Sequence, residues 1–132
     1  MTDWERLDIE ARVLGILADV PQHDPSHHFG RPFLTAYQLA IEFETRYPEE
    51  AATIGPVGGE GIGQHTSLSQ YLARELSRRI RSGELWQVEG RFLSSQHLND
   101  ISFLPPPNTI HSSLTKSQYD LSMFRLTTGD RT

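Results

Sequence analysis

The sequence predicts a mixed α/β domain that is mainly α: a three-helix core, a small antiparallel β-hairpin and an extended C-terminal tail. Three observations lead there. Apolar residues recur at helical spacing in three stretches of the chain. The segment LWQVEGRFLS, Leu85 to Ser94, has two short runs of strand-forming residues around Glu89-Gly90. Clusters of proline, glycine and polar residues separate these stretches.

Thr2 followed by Glu5 reads as a capping box, the hydroxyl accepting an N–H of the first turn while the glutamate reaches back to the cap. Trp4, Leu7, Ala11, Leu14, Leu17 and Ala18 then recur, with Ile9, Val13, Ile16 and Val20 beside them. A largely buried first helix over about residues 3–19 is expected, stopped by Pro21. Residues 21–32, PQHDPSHHFGRP, form a turn-rich loop. Phe33-Leu34 suits a very short strand. Thr35 suits the N-cap of a second helix, with Ala36, Leu39, Ala40, Phe43 and Tyr47 on one face, ending near Pro48 or a turn beyond it. Residues 55–65 hold five glycines, which predicts an irregular, mobile connection around Gly58 to Gly63. The third helix is expected from Ser67 to Arg81, capped by Thr66 or Ser67 and stopped by Gly83.

The hairpin turning at Glu89-Gly90 follows, and residues 97–104 suit a further stretch of sheet. Pro105-Pro106-Pro107 closes the compact part. The expected division is therefore a domain over residues 1–104 and a tail over 105–132. The tail is polar and disordered from Asn108 to Gln118. It becomes apolar over Tyr119 to Leu126, which is expected to pack against another chain as an added strand or an anchor.

Composition narrows the function. The chain has 132 residues and no cysteine, which removes disulfides, zinc–thiolate sites and thiol catalysis. Its N-terminus is acidic and polar where a secretory signal would be basic then apolar, and no apolar run suits a bilayer, so a cytoplasmic protein without a membrane partner is expected. Net charge is −5, unevenly spread: residues 1–60 hold 11 acids against 4 bases, residues 61–132 hold 6 against 8. An acidic whole disfavours indiscriminate nucleic-acid binding yet leaves room for a local basic patch.

That patch is on the third helix. Leu68, Leu72, Leu76 and Ile80 form its inward stripe, with Ala73 beside it, and Ser67, Gln70, Arg74, Ser77, Arg78 and Arg81 gather on the other side. Arginine can bond guanine edges bidentately or neutralise phosphate, glutamine can pair with adenine, and serine bonds either base or phosphate. The helix N-terminus adds donors and partial positive charge. The bland alternative is a solvated helix surface with Glu75 pairing Arg79 four residues on.

The order helix, brief strand, helix, helix, hairpin resembles that of the winged-helix family. Phe33-Leu34-Thr35-Ala36-Tyr37-Gln38-Leu39-Ala40 is similar to its second helix, Ser67 to Arg81 to its recognition helix, and Gly83 to Ser94 to its wing. The likeness covers residues 3–104. The chain departs from it in the glycine-rich stretch between the second and third helices, where a short turn is usual. The resemblance implies double-stranded DNA as partner, a transcriptional regulator as function and a homodimer as its form. Ser67, Gln70, Arg74, Ser77, Arg78, Arg81 and, at the hairpin tip, Arg91 would be the contacts. The alternative is a winged-helix module that binds a protein partner, or a subunit of a larger assembly, without touching DNA.

Other clusters carry less. His23, Asp24, His27 and His28 share a loop, but their spacing suits no single helix face and Pro25 fixes a turn among them, so no metal site is expected. The glycines lack the dinucleotide pattern and no P-loop lysine follows. Ser94, Ser95, His97 and Asp100 crowd one stretch, yet sequence neighbours rarely attain triad geometry. Trp4 and Trp86 read as core or core-edge aromatics. No cofactor and no catalytic residue is expected, so the chain reads as a non-enzyme.

Overall fold

The computed structural model describes residues 1–24, 26, 28–58, 67–112 and 120–127. Within them the fold is mixed α/β, with five helices and a small antiparallel sheet.

The first helical stretch is broken. Thr2 accepts from the Glu5 amide and opens α1 (Asp3–Arg6), and Asp8 at φ 53° then re-aims the chain into α2 (Ile9–Ala18). The break lets Trp4 and the α2 stripe Ile9, Val13, Ile16 and Leu17 enter one core. After the loop, β1 (Leu34–Thr35) runs into α3 (Ala36–Arg46), whose capping box joins the Thr35 hydroxyl to the Gln38 amide and the Gln38 side chain to the Thr35 amide. Pro48 begins a further helix, α4 (Pro48–Ile54), where the sequence suggested an end. Proline suits a first helical position, because the N–H it lacks has no intrahelical acceptor there.

Next comes α5 (Leu68–Arg81). Its inward residues Leu68, Leu72 and Leu76 pack with Leu39, Ala40 and Phe43 of α3 and with Phe124 in one cluster. Complete removal of these side chains from water is the main stabilising term.

The predicted hairpin at Glu89-Gly90 does not form. Residues 88–93 are instead one uninterrupted strand, β2 (Val88–Leu93). Its partner is β5 (Leu121–Leu126), antiparallel, with Val88 opposite Leu126, Gly90 opposite Phe124 and Leu93 opposite Leu121. β5 also pairs with β1, Leu34 opposite Phe124, giving the order β1-β5-β2. The segment expected to reach another chain is thus the central strand of this chain's own sheet. The reason is burial: Leu121 and Phe124 are 5% and 1% exposed, and pairing along β2, with β1 beside Met123 and Phe124, gives the backbone of this buried strand its partners.

Between β2 and β5 lies a small second sheet of β3 (Ser102–Phe103) and β4 (Ile110–His111), also antiparallel. Residues 97–104 therefore do contribute a strand, though not to the main sheet. Phe103 stacks on Tyr37, ring centroids 5.3 Å apart, which fastens this small sheet to α3. Ile110–His111 is ordered strand where a disordered tail was expected. Most of the glycine-rich connection (59–66) and of the polar spacer (113–119) lies outside the described residues, so the expectations of mobility and disorder there concern residues not described.

Candidate nucleic-acid interface

Four inward residues and a cap orient α5. The Ser67 hydroxyl accepts from the Gln70 amide at 3.2 Å, and the Ser67 amide donates to Gln70 Oε1 at 3.3 Å. Ahead of that, the Leu68 amide donates to the Pro56 carbonyl at 2.6 Å and the Ser69 amide to the Val57 carbonyl at 3.0 Å. Gly58 lies directly against Tyr37 and Ile110, an added Cβ coming within 3.1 Å of Ile110, so this tether sits flush on the body. The first-turn amides of α5 are consequently spent inside the fold. They do not form the free anion-binding end that the sequence suggested.

The expected contact residues separate accordingly. Ser67 is 3% exposed and serves as a cap, so it cannot reach a duplex. Gln70 is exposed but its carbonyl oxygen is committed to the cap. Arg74, Ser77, Arg78 and Arg81 are all exposed along one side of the helix. Arg74 lies 5.8 Å from the centroid of the Tyr71 ring. Tyr71 is itself held above the usual phenol range, first by burial and then by the charge of Glu75. Arg78 donates to Glu75 at 2.6 Å. Among the described residues, no carboxylate makes an ion pair with Arg74 or Arg81.

Arg79 takes the inward side instead. Its guanidinium lies 4.4 Å over the Trp4 ring, with Glu75 at 3.5 Å and Glu84 at 3.1 Å. The Arg79 Nε contact with Glu84 is an ion pair without hydrogen-bond geometry. The Glu75–Arg79 pairing at four-residue spacing that the sequence allowed is present, but it is shared with Arg78.

Arg91 is not at a turn. It is on β2, bonded to Glu89 at 2.7 Å and to the Gly90 carbonyl at 2.8 Å. Strand pairing nevertheless brings it to α5: Ser77, Ile80 and Arg81 of the helix, Gly90, Arg91 and Phe92 of β2, and Ser122 and Phe124 of β5 line one groove of about 220 Å³. Three of the expected contacts, Ser77, Arg81 and Arg91, share it. The sequence reading missed its apolar floor of Ile80, Phe92 and Phe124. The apolar end segment was the available signal, but its register against β2 was not.

A separate cluster joins the two short strands. His111 Nδ1 lies 2.8 Å from Asp100 Oδ2 and 3.0 Å from Ser102 Oγ, and Ser102 donates to the same carboxylate oxygen at 2.9 Å. His111 first, then Ser102, holds the Asp100 carboxyl below its ordinary value. The composition invites comparison with a hydrolytic triad, but one ring nitrogen faces both serine and aspartate, whereas proton relay needs the two nitrogens to face different partners. It is a clamp. Asp100 pairs with none of the residues Ser94, Ser95 and His97 that crowd it in sequence; Ser95 instead donates its amide to Asp120 at 2.8 Å.

Among the described residues no group of three or more potential ligands is arranged to hold a metal ion, and no helix is long and apolar enough to cross a membrane. Comparison with family models, curated proteins and solved structures gave no match.

Proposed function

We propose that this chain is a winged-helix domain that binds double-stranded DNA through the outer face of α5, in the role of a transcriptional regulator. The observation that carries the reading is the set Arg74, Ser77, Arg78 and Arg81 on one exposed side of a capped helix, with Arg91 brought from β2 to the groove that Ser77 and Arg81 line. The sequence of elements supports it: helix, short strand, α3, α5, then two antiparallel strands with the last in the middle of the sheet. In this reading the wing is the long connection between β2 and β5, which includes β3 and β4, rather than a turn at Glu89-Gly90. A major groove admits one helix, and arginine is the side chain best suited to its guanine edges.

Fluorescence anisotropy against random duplex at two salt concentrations tests the reading, with Arg74→Ala, Arg78→Ala and Arg81→Ala beside the parent. Loss of a base-reading arginine costs about 1–3 kcal/mol. Loss of a phosphate-reading arginine weakens every sequence alike and lowers the salt slope by about one unit. Arg74→Ala and Arg81→Ala are expected to weaken binding more than Arg78→Ala, because Arg78 must first leave Glu75. Absence of salt-dependent binding by the parent overturns the reading.

The second reading, a module for a protein partner, is favoured by one observation: Phe92 is 70% exposed beside an apolar groove. Exposed aromatics of this kind suit protein interfaces better than phosphate backbones.

A further inference from the structure

β2 is an edge strand, and its sequence is complementary to itself. Its bonding parity is fixed at one end, where the Thr127 amide donates to the Gln87 carbonyl at 2.8 Å. Pairs two residues apart repeat that pattern, so Glu89, Arg91 and Leu93 turn their backbone groups toward β5, while Val88, Gly90 and Phe92 turn theirs outward. The Gly90 carbonyl agrees with this, since it is free of the ladder and accepts from the Arg91 side chain. Among the described residues no strand covers this edge. It also lacks the lysine, proline or bulge that ordinarily blunts one.

We propose that the outer edge of β2 is the interface for a second copy of this chain, paired antiparallel about a twofold axis through Gly90. Centred there, Glu89 of each copy stands opposite Arg91 of the other, and Val88 stands opposite Phe92. Only outward-pointing residues then face one another across the paired positions; the Val88 amide already donates to the Leu85 carbonyl at 3.3 Å, so Gly90 and Phe92 carry the outward amides of the ladder. Shifting the centre to Glu89 sets like carboxylates together, and shifting it to Arg91 sets like guanidinium groups together, so charge selects the register. Such a contact is isologous and closes at two copies. Phe92 gains cover it lacks alone. Arg91 releases the Gly90 carbonyl to the amide of the other copy and joins a ring of four alternating charges. The axis is normal to the sheet, so both α5 helices emerge on the same face. The proposal shares Arg91 with the DNA reading, and the measurement without DNA tests it apart from that reading.

The test is solution mass by light scattering, without DNA, over roughly 10 μM to 1 mM, the span in which so small an interface should associate. The parent is expected to pass from the 15.0 kDa single chain to twice that mass. Arg91→Glu alone and Glu89→Arg alone each set like charges opposite, and each should weaken association at least tenfold. An equimolar mixture of the two variants restores complementarity at both positions and should recover the doubled mass. Glu89 also holds Arg125, so a second variant removes dependence on the folding of Glu89→Arg. A Cβ at residue 90 meets Ile80 and Phe124 at ordinary contact distances of 3.4 and 3.5 Å, so Gly90→Cys is accommodated. As the chain has no other cysteine, a short bifunctional maleimide should join two copies of this variant into a single covalent dimer; a cross-linker is needed because Cβ atoms in a bonded antiparallel pair stand about 5.5 Å apart, beyond the roughly 3.5–4.5 Å of a direct disulfide. A parent that stays at single-chain mass throughout, or a Gly90→Cys variant that the cross-linker leaves monomeric, overturns the proposal.

Discussion

Arg125 donates to the carbonyls of Phe29 at 2.6 Å and Arg31 at 2.9 Å, holds Glu89 through its Nε at 2.8 Å, and lies 4.3 Å over the Phe33 ring. One side chain thereby ties the histidine-rich loop, β1 and β2 together. Its removal takes this donor from two carbonyls and leaves the Glu89 carboxylate to Arg91 alone. Arg125→Ala should therefore cost about 2–3 kcal/mol in urea unfolding. Arg74→Ala, on the exposed side of α5, should change stability by less than about 0.5 kcal/mol. Arg79→Ala falls with the first of these, because its guanidinium is buried against Trp4 between two carboxylates. Composition alone made all the arginines of α5 equivalent; the direction each side chain leaves the helix divides them.

At the scale of elements, caps and helical periodicity were readable because their partners lie within a few residues. Thr35 and Ser67 were legible as caps, and each forms a full capping box with Gln38 or Gln70, whereas the box expected at Thr2 with Glu5 shows only its hydroxyl half. Ser67→Ala should cost about 1–2 kcal/mol, at the upper part of the usual range for a cap, since the hydroxyl is buried and also meets Ser69 at 3.1 Å. The sheet was not readable in the same way. Glu89-Gly90 has good local turn chemistry, yet a long-range partner, β5, makes the straight strand better because it lets Val88 and Phe124 share the core. The candidate interface residues follow the same division: the outward arginines of α5 were legible, while the position of Arg91 and the groove beside it depended on pairing that no short window contains.

The clamp between β3 and β4 carries a pH dependence. His111 and Ser102 lower the folded Asp100 carboxyl below its ordinary value of 3.8. A depressed carboxylate stabilises fully above the unfolded value and loses that contribution as pH falls through the folded one. The small sheet should therefore loosen in acid below about pH 4, and Asp100→Asn should remove that step. The side-chain carboxyl shift of Asp100 in a carbon-detected NMR titration provides the readout.

At the scale of the whole molecule, the tail is structural. Deleting residues 120–132 removes the middle strand and takes Phe124 out of the core cluster that the helices and Val88 share. The shortened chain should lose its cooperative thermal transition in circular dichroism, rather than remain a folded domain lacking an appendage. The outward arginines should make any DNA binding weaken with salt, while the net charge of −5 moderates that slope, because salt screens the repulsion from the acidic surface as well as the attraction.

Placing the last strand at the centre of the sheet also orders events in time. β1 and β2 are both made before β5, and neither touches the other in the finished sheet. Leu34 must wait for Phe124 before it has any ladder partner. The helices can form and begin to pack on local contacts, but sheet closure is a late, entropically expensive step that brings distant parts of the chain together at once. Until then β2 has two unpaired edges instead of one. A newborn chain is thus most exposed to misassembly through the strand VEGRFL, and late closure by β5 is what ends that vulnerable interval.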